Sequence, residues 1–162
     1  MNKLGLLLCF LLAFNYSKSE DIDGIDASMV YDQLISVTKG MAQTNEYKCS
    51  NTLKNNRDKI FPKFESIIKS LKNENDFSTE LIKSALSLVT VMDPKDCNLY
   101  DIIPKIPVLL KAEGIKDMGK NMMNQAGEIE GLINEFKKAI DKEGKLIATG
   151  KIIKVITGIF VN

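Results

Sequence analysis

Few side chains in this sequence could do chemistry, and their spacing limits what that chemistry can be. Cys49 and Cys97 form one pair. A carboxylate run, Glu20-Asp-Ile-Asp-Gly-Ile-Asp26, is a second group, and Glu128 and Glu135, seven residues apart, are a third. The acidic run looks like a fragment of a calcium loop, which needs glycine at position six and glutamate at position twelve. Counted from Asp21, however, Gly24 falls at position four and Asp32 at position twelve. The run reads better as a solvated segment whose aspartates favour the start of the following helix through its dipole. Glu128 and Glu135 can share a helix face, and Asp117 can join Glu128 less well. A glycosidase needs two carboxylates across a cleft, and Glu130, Lys137 and Lys138 beside this pair mark an ordinary solvated face.

Composition narrows the chemistry further. The chain has no histidine and no tryptophan. Without histidine, the usual general base, Ser-His-Asp and Cys-His triads and histidine-based zinc sites are closed to it. Two cysteines cannot complete a tetrahedral zinc site. No glycine-rich phosphate loop is present, and Arg57 is the one arginine among 22 basic residues, which argues against a dedicated phosphate reader. No catalytic residue, metal or cofactor is expected.

The elements around these residues say more. Lys3, the apolar core Leu4 to Phe14, and Ser17 and Ser19 at the −3 and −1 positions before Glu20 read as a signal peptide over residues 1–19. That core is too short to span about 30 Å of hydrocarbon. Cleavage would remove Cys9, along with the sequon Asn15-Tyr-Ser17. It would also remove Lys3 and Lys18, leaving 20 basic against 21 acidic residues, a net charge of −1. That balance is no footprint for nucleic acid. The two remaining cysteines, in an oxidising compartment, most economically form one bridge, Cys49–Cys97.

The mature stretch, 20–162, reads as one all-α domain, a bundle of four to six helices. Helix one runs from about Ala27 to Met41, with Asp26 as N-cap and Val30, Leu34, Val37 and Met41 as its stripe. Helix two is carried by Leu53, Ile60, Phe61, Phe64, Ile67, Ile68 and Leu71. Pro62 either opens it or lies inside a longer helix. After a break at 72–76, helix three carries Leu81, Ile82, Ala85, Leu86, Val89 and Met92 and stops before Asp93-Pro94. Cys49 ahead of helix two and Cys97 after helix three lie at the same end of an antiparallel hairpin, so residues 49–97 read as a disulfide-tied module. Pro104-x-x-Pro107 could be a polyproline ligand, but its flanking aliphatics fit a buried linker or the kinked opening of a helix better.

A heptad-like pattern follows: Ile115, Met118, Met122, Gln125, Ile129, Leu132, Phe136 and Ala139. Gly119, Gly127 and Gly131 interrupt it. They mark either close backbone packing or helix breaks, and their spacing does not choose between the two. The tail, 144–162, has a broad apolar face that includes Ile152, Ile153, Ile156 and Phe160, with Lys145, Lys151 and Lys154 and no acid. It reads as a final core helix, with an interfacial amphipathic helix as the alternative.

The leader, the two cysteines bracketing a lysine- and asparagine-rich hairpin, and the tail Gly150-Lys-Ile-Ile-Lys-Val-Ile-Thr-Gly158 together resemble small secreted helical proteins of ciliates and other AT-rich protists. The resemblance covers most of the mature chain and carries no activity with it. A looser likeness to saposin-type proteins stops at the cysteines, because saposins hold three bridges where this chain has cysteines for one. The function expected is therefore a non-enzymatic secreted or cell-surface interaction protein, as a subunit of a larger assembly. Its partner would be a protein or a second copy of itself. One alternative is a carrier of a lipid or other apolar ligand, lined by Met118, Met122, Met123 and Phe136. Another is a protein acting on a membrane surface through its C-terminal helix.

Overall fold

The computed structural model describes residues 26–72, 91–109 and 111–162, and over them the chain is all-α. The helices are α1 (Ala27–Met41), α2 (Lys48–Asn55), α3 (Arg57–Lys72), α4 (Leu99–Leu109), α5 (Ala112–Asn124), α6 (Ala126–Lys138) and α7 (Lys142–Thr157). The leader at 1–19, the acidic residues up to 25 and nearly all of the expected third helix lie outside the described residues.

These seven helices exceed the expected four to six because two continuous patterns are each divided at one residue. Asn56, at φ −108° and ψ 28°, separates α2 from α3. Gln125, at φ −116° and ψ 25°, separates α5 from α6. Both sit near the sparsely populated bridge region. Helical hydrogen bonds still reach them, from Asn56 N–H to Thr52 O at 3.0 Å and from Gln125 N–H to Asn121 O at 3.0 Å. The second division therefore lies at a glutamine and at none of the neighbouring glycines.

Helix α1 has the bounds and cap its sequence implies, with the Asp26 carboxylate accepting from Ser28 N–H at 2.9 Å. It is buried on two sides. Toward α7, Gly40 and Gly150 bring the backbones together. A Cβ on Gly40 would overlap the Ile147 carbonyl oxygen and lie 2.9 Å from Gly150 Cα. Toward α2 and α3, the Tyr31 hydroxyl donates to Leu53 O at 2.7 Å, and its ring meets Phe61 and Phe64 edge-on at 5.5 and 5.3 Å. The Leu53 carbonyl belongs to the last turn of α2, where no helical N–H follows to take it, so Tyr31 supplies the missing donor.

Of the two placements the sequence leaves open for Pro62, the structure shows the longer helix, with the proline inside α3. Pro104 and Pro107 both lie within α4, so the Pro-x-x-Pro segment has helical rather than polyproline backbone.

The bridge joins Cys49 and Cys97, with Cα atoms 4.4 Å apart and both residues buried. Cys49 lies in the first turn of α2 instead of ahead of it. Among the described residues, the two non-glycine residues with positive φ, Tyr47 (50°) and Asn98 (54°), flank the two cysteines. Asparagine adopts this geometry readily, whereas at Tyr47 it costs about 1 kcal/mol or more.

Gly158, at φ 65°, ends α7 in a left-handed turn. The chain then runs back through the bridge region. Val161 N–H donates to Met41 O at 3.2 Å and Gln43 N–H to Val161 O at 2.8 Å, forming an isolated parallel bridge between Ala42 and Val161. Cys49 N–H donates to Asn162 O at 2.8 Å, and the Asn162 amide donates to Lys95 O at 2.7 Å. The terminal residues are thus seated between the two segments that the disulfide joins.

Candidate functional site

The residues singled out at 115–160 occupy three helices and play different parts. Helix α7 is central, packed against α1, α5 and α6. Ile152, Ile153, Ile156 and Phe160 are half-buried, and Val155 is buried. The tail's lysines are engaged within the fold. Lys151 Nζ donates to Glu135 at 2.7 Å, Lys154 Nζ to Ala42 O at 3.0 Å, and Lys145 Nζ lies 5.9 Å from the centre of the Phe136 ring. Lys151 and Lys154 are thus tied to neighbouring segments of the fold, while Lys145 stays exposed.

Helix α5 is seated by one side only. Gly114 is buried, and a Cβ there would overlap the Val108 carbonyl oxygen, so α4 presses against it. Seven residues on, the Asn121 amide donates to Ile156 O of α7 at 3.1 Å. Gly114 and Asn121 mark the inward face of α5. One residue further along at each point, Ile115 and Met122 are 60% and 48% exposed, and Met123 is 74% exposed. Gly119 lies between them at the i+4 position from Ile115, with nothing within 4 Å of where its Cβ would be. An apolar stripe at i, i+7 and i+8 thus faces outward, where that spacing ordinarily faces a core. Lys111, Lys116 and Lys120 are all exposed, and Lys120 pairs loosely with Asp117 at 3.3 Å.

The structure brings Met118 and Phe136 to half-buried positions but leaves Met122 and Met123 at the surface, so the expected methionine lining of a pocket is turned outward. The stripe reads correctly along α6, where Leu132 is buried and Ile129 and Phe136 are half-buried, and runs out into solvent along α5. The pattern of apolar residues is the same in both halves. Charge does not separate the two halves either, since Glu130 follows Ile129 in α6 as Lys116 follows Ile115 in α5. Gly119, Gly127 and Gly131 receive no close neighbour.

Elsewhere, an open cleft of about 400 Å³ lies between α1 and the start of α7, with Asp26, Asp32, Ser36, Lys142, Glu143 and Leu146 on its walls. Its carboxylates are partly occupied, Asp32 by Arg57 and Glu143 by Lys39 at 2.6 Å. Glu128 and Glu135 are exposed on α6, Glu135 being held by Lys151. Among the described residues no group of three or more Cys, Asp or Glu side chains is placed to hold a metal ion. No buried side-chain nitrogen or oxygen among them lacks a hydrogen-bond partner, and no helix among them is long and apolar enough to cross a membrane. Arg57, the one arginine of the chain, ties α3 to α1: it pairs with Asp32, donates to Ser28 Oγ at 2.7 Å, and stacks 4.9 Å over Tyr31 and 5.0 Å over Phe61.

No family model, no curated protein and no solved structure matches this chain.

Proposed function

We propose that this chain is a non-enzymatic secreted or cell-surface binding protein whose contact surface is the outward face of α5. One observation carries the reading: Ile115, Met122 and Met123 remain exposed on a helix whose other side is firmly seated. Contiguous exposed apolar surface marks interaction sites, whereas apolar residues scattered singly do not. The leader read at residues 1–19 supports a secretory route, and a buried disulfide is consistent with an oxidising compartment. A role as subunit of a larger extracellular assembly fits the same surface.

A photo-reactive group placed at position 123 of the secreted chain tests this. It should crosslink a binding partner, whether protein or lipid, while the same group at Glu128, on the exposed polar side of α6, should not. Equal labelling from both positions, or none from either, would remove the basis for the surface.

A further inference from the structure

We infer that residues 159–162 form a strap guarding the Cys49–Cys97 bridge. The bridge is reduced from the undocked state of this strap, and its reduction in turn releases the strap. Both cysteines are buried, 2% and 1% exposed, so a reductant must wait for some part of the fold to open. The strap lies across both segments that carry them. On one side Val161 N–H donates to Met41 O, Gln43 N–H to Val161 O and Cys49 N–H to Asn162 O. On the other, the Asn162 amide donates to Lys95 O at 2.7 Å and the Asn98 amide to Phe160 O at 3.3 Å. Val161, itself buried, belongs to the same core cluster as Cys49 and Cys97.

Of the segments meeting here, the strap is the one placed to leave. It follows a left-handed turn at Gly158, where nothing lies within 4 Å of a Cβ, so the backbone can swing there without collision. It is short, non-helical chain, whereas Cys49 lies inside α2 and Cys97 is followed at once by α4. Opening so short a segment exposes far less surface than unfolding the helices, and its free energy lies well below the global value. With the strap off, a dithiol can act. Its thiolate attacks one cysteine sulfur, forming a mixed disulfide and expelling the other cysteine as a thiolate. Its second thiol then displaces the first cysteine, and the reagent departs as a cyclic disulfide, having given up two electrons. The two halves of the seat are then no longer tied, and Ile159, Phe160 and Val161 lose their cover.

Reduction of the full secreted chain by dithiothreitol in rising, sub-denaturing urea, read by alkylation and mass spectrometry, tests the inference. The rate should be almost flat in urea, because undocking exposes little surface. Val161→Ala should raise the rate about tenfold, and Asn162→Ala about fivefold. Leu132→Ala removes a buried side chain of α6 outside the cluster that holds the cysteines. It should lower the urea midpoint of unfolding and leave the reduction rate unchanged. In the chain kept reduced, the Val161 amide should exchange rapidly while the amides of α6 keep their protection. A rate that climbs steeply with urea, and rises as much with Leu132→Ala as with Val161→Ala, overturns the inference, since the bridge then opens by global unfolding. So do strap variants that are reduced at the parent's rate, or a reduced chain whose Val161 amide stays protected.

Discussion

Gly40 of α1 and Gly150 of α7 lie against one another, so that a Cβ on Gly150 would come within 3.0 Å of Gly40 Cα and overlap the Val37 carbonyl oxygen. Two helices can approach this closely only where neither carries a side chain at the crossing. It sits where the most extensive helix pair among the described residues meets.

The first prediction reverses what helix propensity alone would give. Alanine is favoured over glycine in a helix interior by up to about 1 kcal/mol. At the crossing that gain is overwhelmed, because the new methyl meets backbone that cannot turn aside. Gly40→Ala and Gly150→Ala should each lower stability by about 1–3 kcal/mol in urea unfolding. Gly131→Ala, where nothing lies within 4 Å, should raise stability instead. Equal effects at all three positions would mean that the helices do not cross here.

How much of this was legible beforehand depends on distance along the chain. The bounds of α1, its Asp26 cap and the Cys49–Cys97 pair could be read because each rests on local spacing or on counting. The division at Gln125 was hidden, since glutamine is an ordinary helix former and its backbone turn reflects the seating of α5 and α6 on α7. The joint at Gly40 and Gly150 was hidden for a different reason: nothing in either neighbourhood names the other, and the glycines that drew attention, at 119, 127 and 131, stand in the open. The α5 surface was half legible, its stripe visible and its outward direction not.

A second prediction concerns the disulfide and the terminal residues it seats. Replacing Cys49 and Cys97 together by alanine should cost about 4 kcal/mol in the chain-entropy account of a 48-residue separation. The amide protons of Gln43 and Cys49, which donate to Val161 O and Asn162 O, should lose hydrogen-exchange protection more than those in the middle of α6. Uniform loss across the chain would show that the terminal segment does not depend on the bridge.

A third prediction follows from Tyr31. Burial pushes its phenol up to about 12, a shift that Arg57 opposes and Asp32 reinforces. The folded state therefore holds this proton more tightly than the unfolded chain, whose tyrosine titrates near 10. The resulting stability is fully present below pH 10 and is lost as pH rises toward 12, by up to about 1.4 kcal/mol per pH unit. Tyr31→Phe should lack this component of the alkaline decline. At neutral pH the same variant should lose about 1 kcal/mol, because Leu53 O is left without its donor. Parallel alkaline denaturation curves for the two proteins would contradict it.

The fourth prediction separates Arg57 from a generic surface cation. Its guanidinium stacks on two rings while pairing with Asp32. Lysine keeps the charge but not the plane, so Arg57→Lys should lose about 1 kcal/mol. The ion pair is largely exposed, so Asp32→Asn should cost only a few tenths of a kcal/mol. Thermal unfolding of the two single variants and the double variant would expose the difference. A larger loss at Asp32 than at Arg57 would place the energy in the ion pair rather than in the stack.

The contact between Lys154 Nζ and Ala42 O spans 112 residues of sequence, and that span is also an interval of time. At about 5–20 residues per second, α1 emerges many seconds before α7 exists to cover it. Both cysteines are available well before α7 arrives, so the bridge can close on an incomplete fold and hold α2 against the 93–98 turn. The seat for the terminal residues is then built before its occupant is synthesised. Until that occupant arrives, the inner face of α1 is bare, and the nascent chain is most exposed to aggregation or to capture by a chaperone.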